Sequence, residues 1–234
     1  MNHKVLFNKL EFLCNKEKNF LPTGTSQILA DCAIKLISNK NKKVLDFGCG
    51  IGVVGISIFK KKKIKSILYA SDISKNSVEF CKLNAEKHKI KINAKSGTLF
   101  EPWKDHKFDL IINDISGISQ EISKISPWFK NVSCESGIDG SILTNKVITQ
   151  GKKFLNKNGK IIFPIISLAN KKKILLHAKK KFKKITLLSS KNWPMPKEFY
   201  KHRKLLSSLK KKKFIDFQEK FGILTFSTEV YLIQ

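Results

Sequence analysis

A glycine-rich turn between a short apolar strand and a helix is the feature that most constrains this sequence. Residues 44–47 (Val-Leu-Asp-Phe) predict a buried strand, and Gly48, Gly50 and Gly52 follow at alternate positions before an apolar run that reaches Ile56. Glycines let the backbone turn tightly and approach a ligand that a Cβ would exclude. The turn also ends at a helix N-terminus, where backbone N–H groups are unpaired. The segment therefore predicts a strand–loop–helix unit that binds a ligand.

Two cofactors compete for this loop. The run Gly50-x-Gly52-x-x-Gly55 matches the dinucleotide fingerprint, and Asp72 lies 22 residues beyond Gly50, near the spacing of a ribose-binding acid. Asp46, however, precedes the first glycine by two residues, where its charge would repel a pyrophosphate. The same carboxylate suits a ligand with a cationic amino group, a sulfonium and no phosphate, which is S-adenosylmethionine. The electrostatics therefore favour S-adenosylmethionine.

Each of the two acids also has a purely structural interpretation. A carboxylate just past a strand end, as Asp72 is, can accept hydrogen bonds from both ribose hydroxyls. It can equally cap the next helix, a role for which Ser74 is also suited. Asp46 could act only to stabilise the loop. The combination of two acids with glycines between them indicates cofactor binding more specifically than either acid does alone. We therefore predict that both acids contribute to the cofactor site.

Short β-rich runs alternate with helical patterns, which predicts a mostly parallel sheet with helices on both faces. No repeat and no Gly/Ser linker divides the chain, so residues 1–234 are expected to form one domain. Helices are predicted to begin at Ser26, at Ser74 and at Asp139 or Ser141, the last running through Leu155. A further helix bears Ile174, Leu175, Ala178 and Phe182, and strands are predicted at 44–47, 67–71, 92–94, 108–113, 160–167, 185–188 and 222–233.

Lysine dominates the charge of the chain. The sequence has 46 Lys+Arg against 18 Asp+Glu, a formal net charge of +28, and Arg203 is the only arginine. Such a charge predicts attraction to polyanions. Abundant Lys, Ile and Asn are also typical of A/T-rich coding sequence, and a nucleic-acid surface usually recruits Arg. Codon bias and selected polyanion binding both remain open interpretations.

The cysteines and the hydropathy pattern indicate a cytoplasmic protein. Five cysteines occur without any CxxC spacing, and the five histidines are scattered, so we predict buried free thiols and no metal site. The longest apolar stretch, 44–59, contains four glycines and an aspartate, so no membrane span is expected. With 41% hydrophobic residues the chain has enough apolar material for a folded core, which excludes wholesale disorder.

Several ordered segments make the sequence resemble the class I S-adenosylmethionine-dependent methyltransferases. Within that group it is most similar to the methyltransferase small domain branch, which includes release-factor glutamine methyltransferases and rRNA and tRNA base methyltransferases. The resemblance implies a Rossmann-like sheet of about seven strands with an antiparallel last strand. It rests on the glycine loop and on Phe20 to Ala30 (FLPTGTSQILA), Ser96 to Pro102 (SGTLFEP) and Gly137 to Gly140 (GIDG).

The resemblance also implies roles for individual residues. The N-terminal segment, residues 1–25, is expected to act as a lid over the methionine end of the cofactor. The glycine loop with Asp46 would hold the methionine part, Asp72 the ribose, and Ser96 with Gly97 would flank the adenine. The cofactor-binding residues expected in full are Thr25, Asp46, Gly48, Gly50, Gly52, Asp72, Ile73, Ser96, Gly97 and Asn113.

The segment after the fourth predicted strand departs from the family pattern. Members that methylate a planar amide or an exocyclic amine usually carry Asn-Pro-Pro-Tyr there, whereas this chain has Asn113-Asp114-Ile115-Ser116. Asn113 is kept, and Asp114 could accept a hydrogen bond from an amine or act as a base. We predict both as catalytic residues that face the acceptor, with loop capping as the structural alternative.

Aromatic and basic residues mark the expected substrate side. Trp128 and Trp193 follow predicted strands, and residues 194–221 form an insertion before the last strand that includes Arg203. Where aromatic and basic side chains alternate, the aromatic rings can stack on nucleobases and the basic groups can hold phosphates. Trp128, Trp193 and Arg203 are therefore expected to contact substrate. The structural alternative for the insertion is an amphipathic covering helix with core phenylalanines.

These observations lead to three hypotheses. The first is a methyltransferase that transfers a methyl group to a nitrogen or oxygen nucleophile, either in RNA or a translation-machinery protein or in a small molecule. The second is a non-catalytic module on a methyltransferase fold that binds RNA or the ribosome. The third is a nicotinamide-dependent oxidoreductase.

Overall fold

The computed structural model describes residues 3–37, 43–115, 117–130, 132 and 134–234. The strands are β1 (His3–Phe7), β2 (Leu10–Cys14), β3 (Val44–Phe47), β4 (Leu68–Asp72), β5 (Ile92–Ser96), β6 (Phe108–Asn113), β7 (Leu155–Ile166), β8 (Ile185–Pro194), β9 (Gln218–Lys220) and β10 (Ile223–Ile233). The helices are α1 (Gly24–Leu36), α2 (Val53–Lys62), α3 (Lys75–Lys87), α4 (Gln120–Ile125), α5 (Ile142–Gly151), α6 (Lys171–Lys181) and α7 (Arg203–Lys211).

The strands of the large sheet lie in the order β5-β4-β3-β6-β7-β10-β8, and the short β9 pairs with the start of β10. Strands β3 to β7 pair in parallel, while β10 is antiparallel to β7, β8 and β9. One apolar core lies between the sheet and α1, α2 and α3, and a second lies between the sheet and α5 and α6. The predicted sheet, with helices on both faces and an antiparallel last strand, is confirmed.

Two helix boundaries differ from the sequence-based expectation. Thr23 rather than Ser26 caps α1, because its hydroxyl accepts a hydrogen bond from the backbone N–H of Thr25. Helix α5 ends at Gly151 and does not continue through Leu155, so that prediction was wrong. A 3₁₀ turn follows, and Leu155 pairs with Phe108 at the start of β7, where the ladder of the sheet outweighs the helical spacing of the apolar residues. Ser74 caps α3 as predicted.

The first described residues form a hairpin, β1 with β2, that the sequence reading missed. Its buried side chains, Phe7 and Phe12, join the core beside α1, α2 and α3. Asn84 of α3 holds it in place, because its side chain accepts from the Leu13 N–H at 2.7 Å and donates to the Leu13 carbonyl at 3.0 Å. The same Asn84 amide also donates to the carbonyl of Ile51 in the glycine loop, at 2.9 Å.

The insertion before the last strand packs as a covering layer. Pro194 still belongs to β8, and the segment then forms a 3₁₀ turn (Lys197–His202), helix α7 and strand β9. Apolar side chains from this layer make a third core against Phe226 of β10: Met195, Phe199, Leu206, Leu209 and Ile215. The structural alternative, an amphipathic covering helix, thus describes α7.

All five cysteines are buried and free of disulfide bonds, as predicted. Among the described residues no three His, Cys, Asp or Glu side chains lie close enough together to hold a metal ion. Within the same ranges, no helix combines the length and the apolar character needed to cross a membrane.

Candidate active site

A cavity of about 320 Å³ opens at the carboxyl edge of the sheet, where β3, β4, β5 and β6 end. Open α/β sheets bind their ligands at this edge, and the volume lies within the range of small-molecule sites. The wall combines the glycine loop, three carboxylates (Asp72, Asp114 and Glu135), two lysines (Lys18 and Lys146) and apolar side chains. Its other residues include Phe20, Ser26, Gly48, Cys49, Gly50, Ile73, Gly97, Leu99, Ile115 and Phe129.

The glycine loop takes a backbone path that only glycine adopts readily. Gly48, Gly50 and Gly52 have φ of +73°, +51° and +87°, in the left-handed region. A Cβ on Gly48 would lie 2.9 Å from the backbone nitrogen of Ile115, so no residue larger than glycine fits at position 48. A Cβ on Gly50 would meet no atom within 4 Å, which leaves its face open to the cavity.

Asp72 at the end of β4 ties the loop to the next helix and still lies in the cavity wall. One carboxylate oxygen accepts from the Gly50 N–H at 2.9 Å, and the other accepts from the Ser74 N–H at 2.9 Å. Burial raises the pKa of this carboxyl, and the hydrogen bonds from Ser74 and Gly50 partly offset the rise. Because Ser74 itself caps α3, Asp72 is not needed for that role.

Asp46 lies fully buried beneath the loop rather than in the cavity wall. Its Oδ2 accepts from the Gly55 N–H in α2 at 2.9 Å, whereas Oδ1 has no hydrogen-bond partner among the described residues. Burial raises the pKa of this carboxyl to about 7, and the charge of Asp72 adds to the rise. A buried acceptor without a donor is costly, so Asp46 is poised to gain stability from a cation or donor above it.

Asp114, just past β6, is joined to helix α1. Its Oδ2 accepts a hydrogen bond of 2.8 Å from the Ser26 hydroxyl, and its backbone N–H donates to the Phe47 carbonyl. Burial raises the pKa of the Asp114 carboxyl to about 7; the Ser26 hydrogen bond lowers it, and the charges of Asp46 and Asp72 raise it. This carboxyl is therefore placed to exchange a proton near neutral pH.

A second cavity, of about 420 Å³, adjoins the first. Four residues line both cavities: Phe20, Ser26, Asp114 and Phe129. The rest of the second wall is largely aromatic or rigid, with Trp128, Trp193, Pro194, Met195, Pro196 and Phe226, and also includes Thr23, Gly24, Thr25, Ile166 and Lys197. Asp114 is therefore a carboxylate at the boundary between a cofactor-sized cavity and an aromatic one.

Trp193 is held firmly in this wall. Its indole N–H donates to the Thr228 hydroxyl at 3.1 Å, and its ring lies against Gly24 at the start of α1. The ammonium of Lys191 stands 4.3 Å from the ring centre, a cation–π distance. The prolines on either side of Met195 stiffen the chain that follows.

The structure brings together most, but not all, of the residues expected from the sequence. Gly48, Gly50, Asp72, Ile73, Gly97 and Asp114 line the first cavity, while Trp128 and Trp193 line the second. Thr25 lies in the wall of the second cavity, with its hydroxyl 3.2 Å from that of Thr228. Gly52 lies below the wall, where a Cβ would be 2.8 Å from the Cys81 sulfur.

Besides Asp46 and Gly52, three further expected residues lie outside both walls. Ser96 is exposed beside Gly97. Asn113 is buried, with its Nδ2 unpartnered among the described residues and its Oδ1 accepting from the Ile115 N–H at 3.4 Å. Arg203 is exposed and forms an ion pair of 2.7 Å with Glu219.

Ser26 and Phe20 are wall residues that the sequence did not predict as site residues. Ser26 was interpreted as a helix cap, although its hydroxyl points at Asp114 from inside α1. Phe20 packs on Phe129, with ring centres 5.1 Å apart. Both residues belong to the segment Phe20 to Ala30, on which the family resemblance partly rests. The side chains that they contact, Asp114 and Phe129, depend on the fold.

A mostly parallel sheet with an antiparallel last strand, a glycine loop after its central strand and acids at the carboxyl edge together define a Rossmann-like methyltransferase fold. The methyltransferase small domain model matches residues 23–114. A Methanocaldococcus jannaschii protein that bears the name putative methyltransferase is 31% identical over 194 residues, which cover 76% of this chain and 73% of that protein. The chain belongs to the methyltransferase small domain family.

Two further comparisons extend this likeness. A release factor glutamine methyltransferase of Borreliella burgdorferi is 31% identical over 166 residues, or 68% of this chain and 57% of that protein. The chain spans little more than half the length of the first release factor glutamine methyltransferases that it matches. The T. thermophilus 16S rRNA N2 G1207 methyltransferase, solved in complex with AdoMet and guanosine, superimposes with a TM-score of 0.58 at 12% identity, over 100% of this chain and 50% of that one. That likeness concerns the fold.

Proposed function

We propose that this chain is an S-adenosylmethionine-dependent methyltransferase whose cofactor binds in the first cavity and whose acceptor enters the second. The observation that carries the proposal is the meeting of the two cavities at Asp114 and Ser26. A transfer reaction needs two ligands whose reacting atoms come together in a site closed to water. A shared wall with one carboxylate in it meets that need.

The residues of the first cavity fit a cationic, phosphate-free cofactor. Asp72, Asp114 and Glu135 line the cavity together with Lys18 and Lys146, and Asp46 is buried beneath the glycine loop. A pyrophosphate on that loop would therefore meet more carboxyl groups than ammonium groups. A ligand with an ammonium and a sulfonium would be attracted by the same groups. We propose that Asp72 receives the ribose hydroxyls, that Gly48 and Gly50 admit the methionine part, and that Asp46 acts from beneath the loop.

S-adenosylmethionine supplies a methyl group already activated on a sulfonium, so the chain has only to orient the nucleophile, exclude water and accept a proton. A nitrogen or oxygen nucleophile becomes more acidic as it gains the methyl group. The Asp114 carboxylate, which accepts the Ser26 hydrogen bond through Oδ2, is proposed to take that proton on Oδ1. Asn113, whose amide lies buried behind Asp114, is proposed to position the loop from the cofactor side.

We further propose that the acceptor belongs to RNA or to a protein of the translation machinery and that the enzyme works in the cytoplasm. The net charge of +28 and the aromatic second cavity support a nucleic acid or its protein partners. Residues 1–234 are proposed to act as one domain, with the part of the 1–25 lid from Lys18 to Thr25 bordering both cavities.

The test has two stages. Calorimetry is first run with S-adenosylmethionine on the wild type, on Asp72→Asn and on the exposed control Asp105→Asn. We expect Asp72→Asn to bind roughly 10- to 100-fold more weakly, since a hydrogen bond to a charged group is worth about 1.5–3 kcal/mol. Wild-type protein that binds NADH but not S-adenosylmethionine would contradict the proposal.

The second stage follows a labelled methyl group into separate pools of RNA, ribosomal proteins with release factors, and small metabolites. Incorporation into one of the first two pools, lost in Asp114→Ala, is the expected result. Incorporation only into the metabolite pool would refute the acceptor class. Cofactor binding without transfer to any pool would instead indicate the non-catalytic module.

A further inference from the structure

The turn between β9 and β10 presents a phenylalanine entirely to solvent. Phe221 has a relative exposure of 101%, the highest among the exposed large apolar side chains of the described residues. Its φ is +50°, and Gly222 after it has φ of +75°. Lys220 and Ile223 pair across the turn, so Phe221 and Gly222 are the two central residues of a tight hairpin.

Phenylalanine is a poor choice for this position on structural grounds. A two-residue hairpin turn with positive φ at both central positions favours Asn-Gly or Asp-Gly, because a bulky side chain is strained there. An apolar ring in water also gains nothing from burial. Backbone strain combined with full exposure makes Phe221 costly for the fold, and such residues concentrate where they contact a partner.

The hairpin stands at the same edge of the sheet as the two cavities. Thr228 of β10 pairs with Ile166 at the carboxyl end of β7, so the residues of β10 before Thr228 run past that edge. Phe226, within that stretch, lines the second cavity. Phe221 lies five residues farther along, about 17 Å at the rise of an antiparallel strand.

The segment that precedes the β9–β10 turn is strongly basic. Residues 197–220 contain nine basic and three acidic side chains. Two of the acids are already paired, Glu219 with Arg203 and Asp216 with Lys210. Lys197 lines the second cavity, and Lys220 directly precedes Phe221. A lysine therefore lies both at the cavity and at the β9–β10 turn.

We infer that the β9–β10 turn is a stacking platform for single-stranded RNA, in which the Phe221 ring stacks on a nucleobase a few nucleotides away from the acceptor while lysines of 197–220 hold the phosphates. The inference rests on the proposed function for the identity of the second cavity as the acceptor site. An exposed ring among lysines is the combination that single-stranded nucleic acid requires, since aromatic faces stack on any base and the cations follow the backbone.

The direct test measures fluorescence anisotropy of a labelled oligouridine against four proteins: wild type, Phe221→Gly, Phe221→Tyr and Leu6→Ala. Glycine suits the positive φ, so Phe221→Gly removes the ring without straining the turn. Leu6 is the matched control, because it is also exposed (73%) but lies on the N-terminal hairpin. Stacking energies from alanine substitution predict binding weaker by roughly 5- to 150-fold in Phe221→Gly. Phe221→Tyr and Leu6→Ala should bind as the wild type does.

Two further measurements separate the outcomes. Unchanged oligouridine binding in Phe221→Gly would overturn the inference, and so would loss of binding to phosphatidylserine vesicles in that variant with RNA binding intact. Calorimetry with S-adenosylmethionine on the same variants should show no change. A wild type that fails to bind the cofactor, while its RNA binding still depends on Phe221, would count against the proposed activity and leave the platform standing.

Discussion

The Ser26 hydroxyl donates a hydrogen bond of 2.8 Å to the Asp114 carboxylate, joining helix α1 to the loop after β6 across 88 residues of sequence. Both side chains line both cavities. The bond orients one carboxylate oxygen, and it lowers the Asp114 pKa against the rise caused by burial. The Asp114 pKa is thus adjusted by a residue of another element.

Methyl transfer is expected to rise with pH through about 7. The Asp114 carboxyl has its pKa raised to about 7 and must be ionised to accept a proton, so activity is low below that value and reaches a plateau above it. The check is kcat/KM for S-adenosylmethionine against pH, which reports the ligand-free enzyme, with the acceptor found by label transfer. Asp114→Asn should lose most activity and the pH step with it. A flat wild-type profile would show that Asp114 takes no proton.

Replacing Ser26 should move that pH step. Ser26→Ala removes the hydrogen bond that lowers the Asp114 pKa, so the midpoint of the activity profile shifts to higher pH. Affinity for S-adenosylmethionine should stay within about threefold. Ser207→Ala, an exposed serine-to-alanine change on α7, is the matched control and should leave the midpoint in place. A general loss of activity at every pH, with no shift, would indicate a merely structural Ser26.

Cofactor binding near neutral pH is expected to release protons. Asp46 and Asp114 both have pKa values raised to about 7, and a cationic ligand nearby favours their ionised forms. Calorimetry in two buffers of different ionisation enthalpy at pH 7 measures the number released. Asp46→Asn should release fewer. Proton uptake in the wild type would be incompatible with a cationic group bound near these carboxyls.

The stability of the ligand-free protein should fall as pH rises from about 4 to 7. Asp46 has a folded-state pKa above its unfolded value of 3.8, so over that window the folded state keeps its proton while the unfolded state loses it. Ionisation therefore stabilises the unfolded state alone, until Asp46 also ionises in the folded state near pH 7. The loss attributable to Asp46 is on the order of 4 kcal/mol. Urea unfolding at pH 4 and pH 8 measures it. Asp46→Asn should reduce the difference, whereas Asp105→Asn should not.

A methyl group at Gly24 should damage acceptor use but not cofactor binding. The new Cβ would lie 2.5–2.8 Å from three carbons of the Trp193 ring, which must move and reshape the second cavity. The acceptor KM of Gly24→Ala is expected to rise about tenfold or more, with S-adenosylmethionine affinity unchanged. Gly24→Ala combined with Trp193→Phe restores space and should recover part of the loss. No recovery in the double variant would mean that the ring clash is not the cause.

The parts of the site that depend on local backbone chemistry could be predicted from the sequence. The glycine loop, Asp72 and the β3–β6 strands follow from residue types at fixed spacing, because positive φ and strand periodicity are local properties. The partner of Ser26 could not be predicted, since it depends on how α1 packs against the end of β6. The same holds for Arg203, whose position is fixed by an ion pair with β9.

Local patterns also competed with one another. The apolar spacing up to Leu155 suits a helix, but pairing with Phe108 makes that residue the start of a strand. Thr23 and Ser26 are both good caps, and only the packing of α1 decides between them. The N-terminal hairpin was not predicted because two five-residue strands carry a weak signal, and their stability comes from burial of Phe7 and Phe12.

The Asn84 side chain, which bonds to both Leu13 and Ile51, makes the N-terminal hairpin and the glycine loop a single cooperative unit. Local opening of either one breaks hydrogen bonds that the other shares. A ligand that binds at the loop therefore also stabilises the closed hairpin, which lies away from the ligand itself. The amide proton of Leu13 thus becomes a remote reporter of cofactor occupancy, readable by hydrogen exchange.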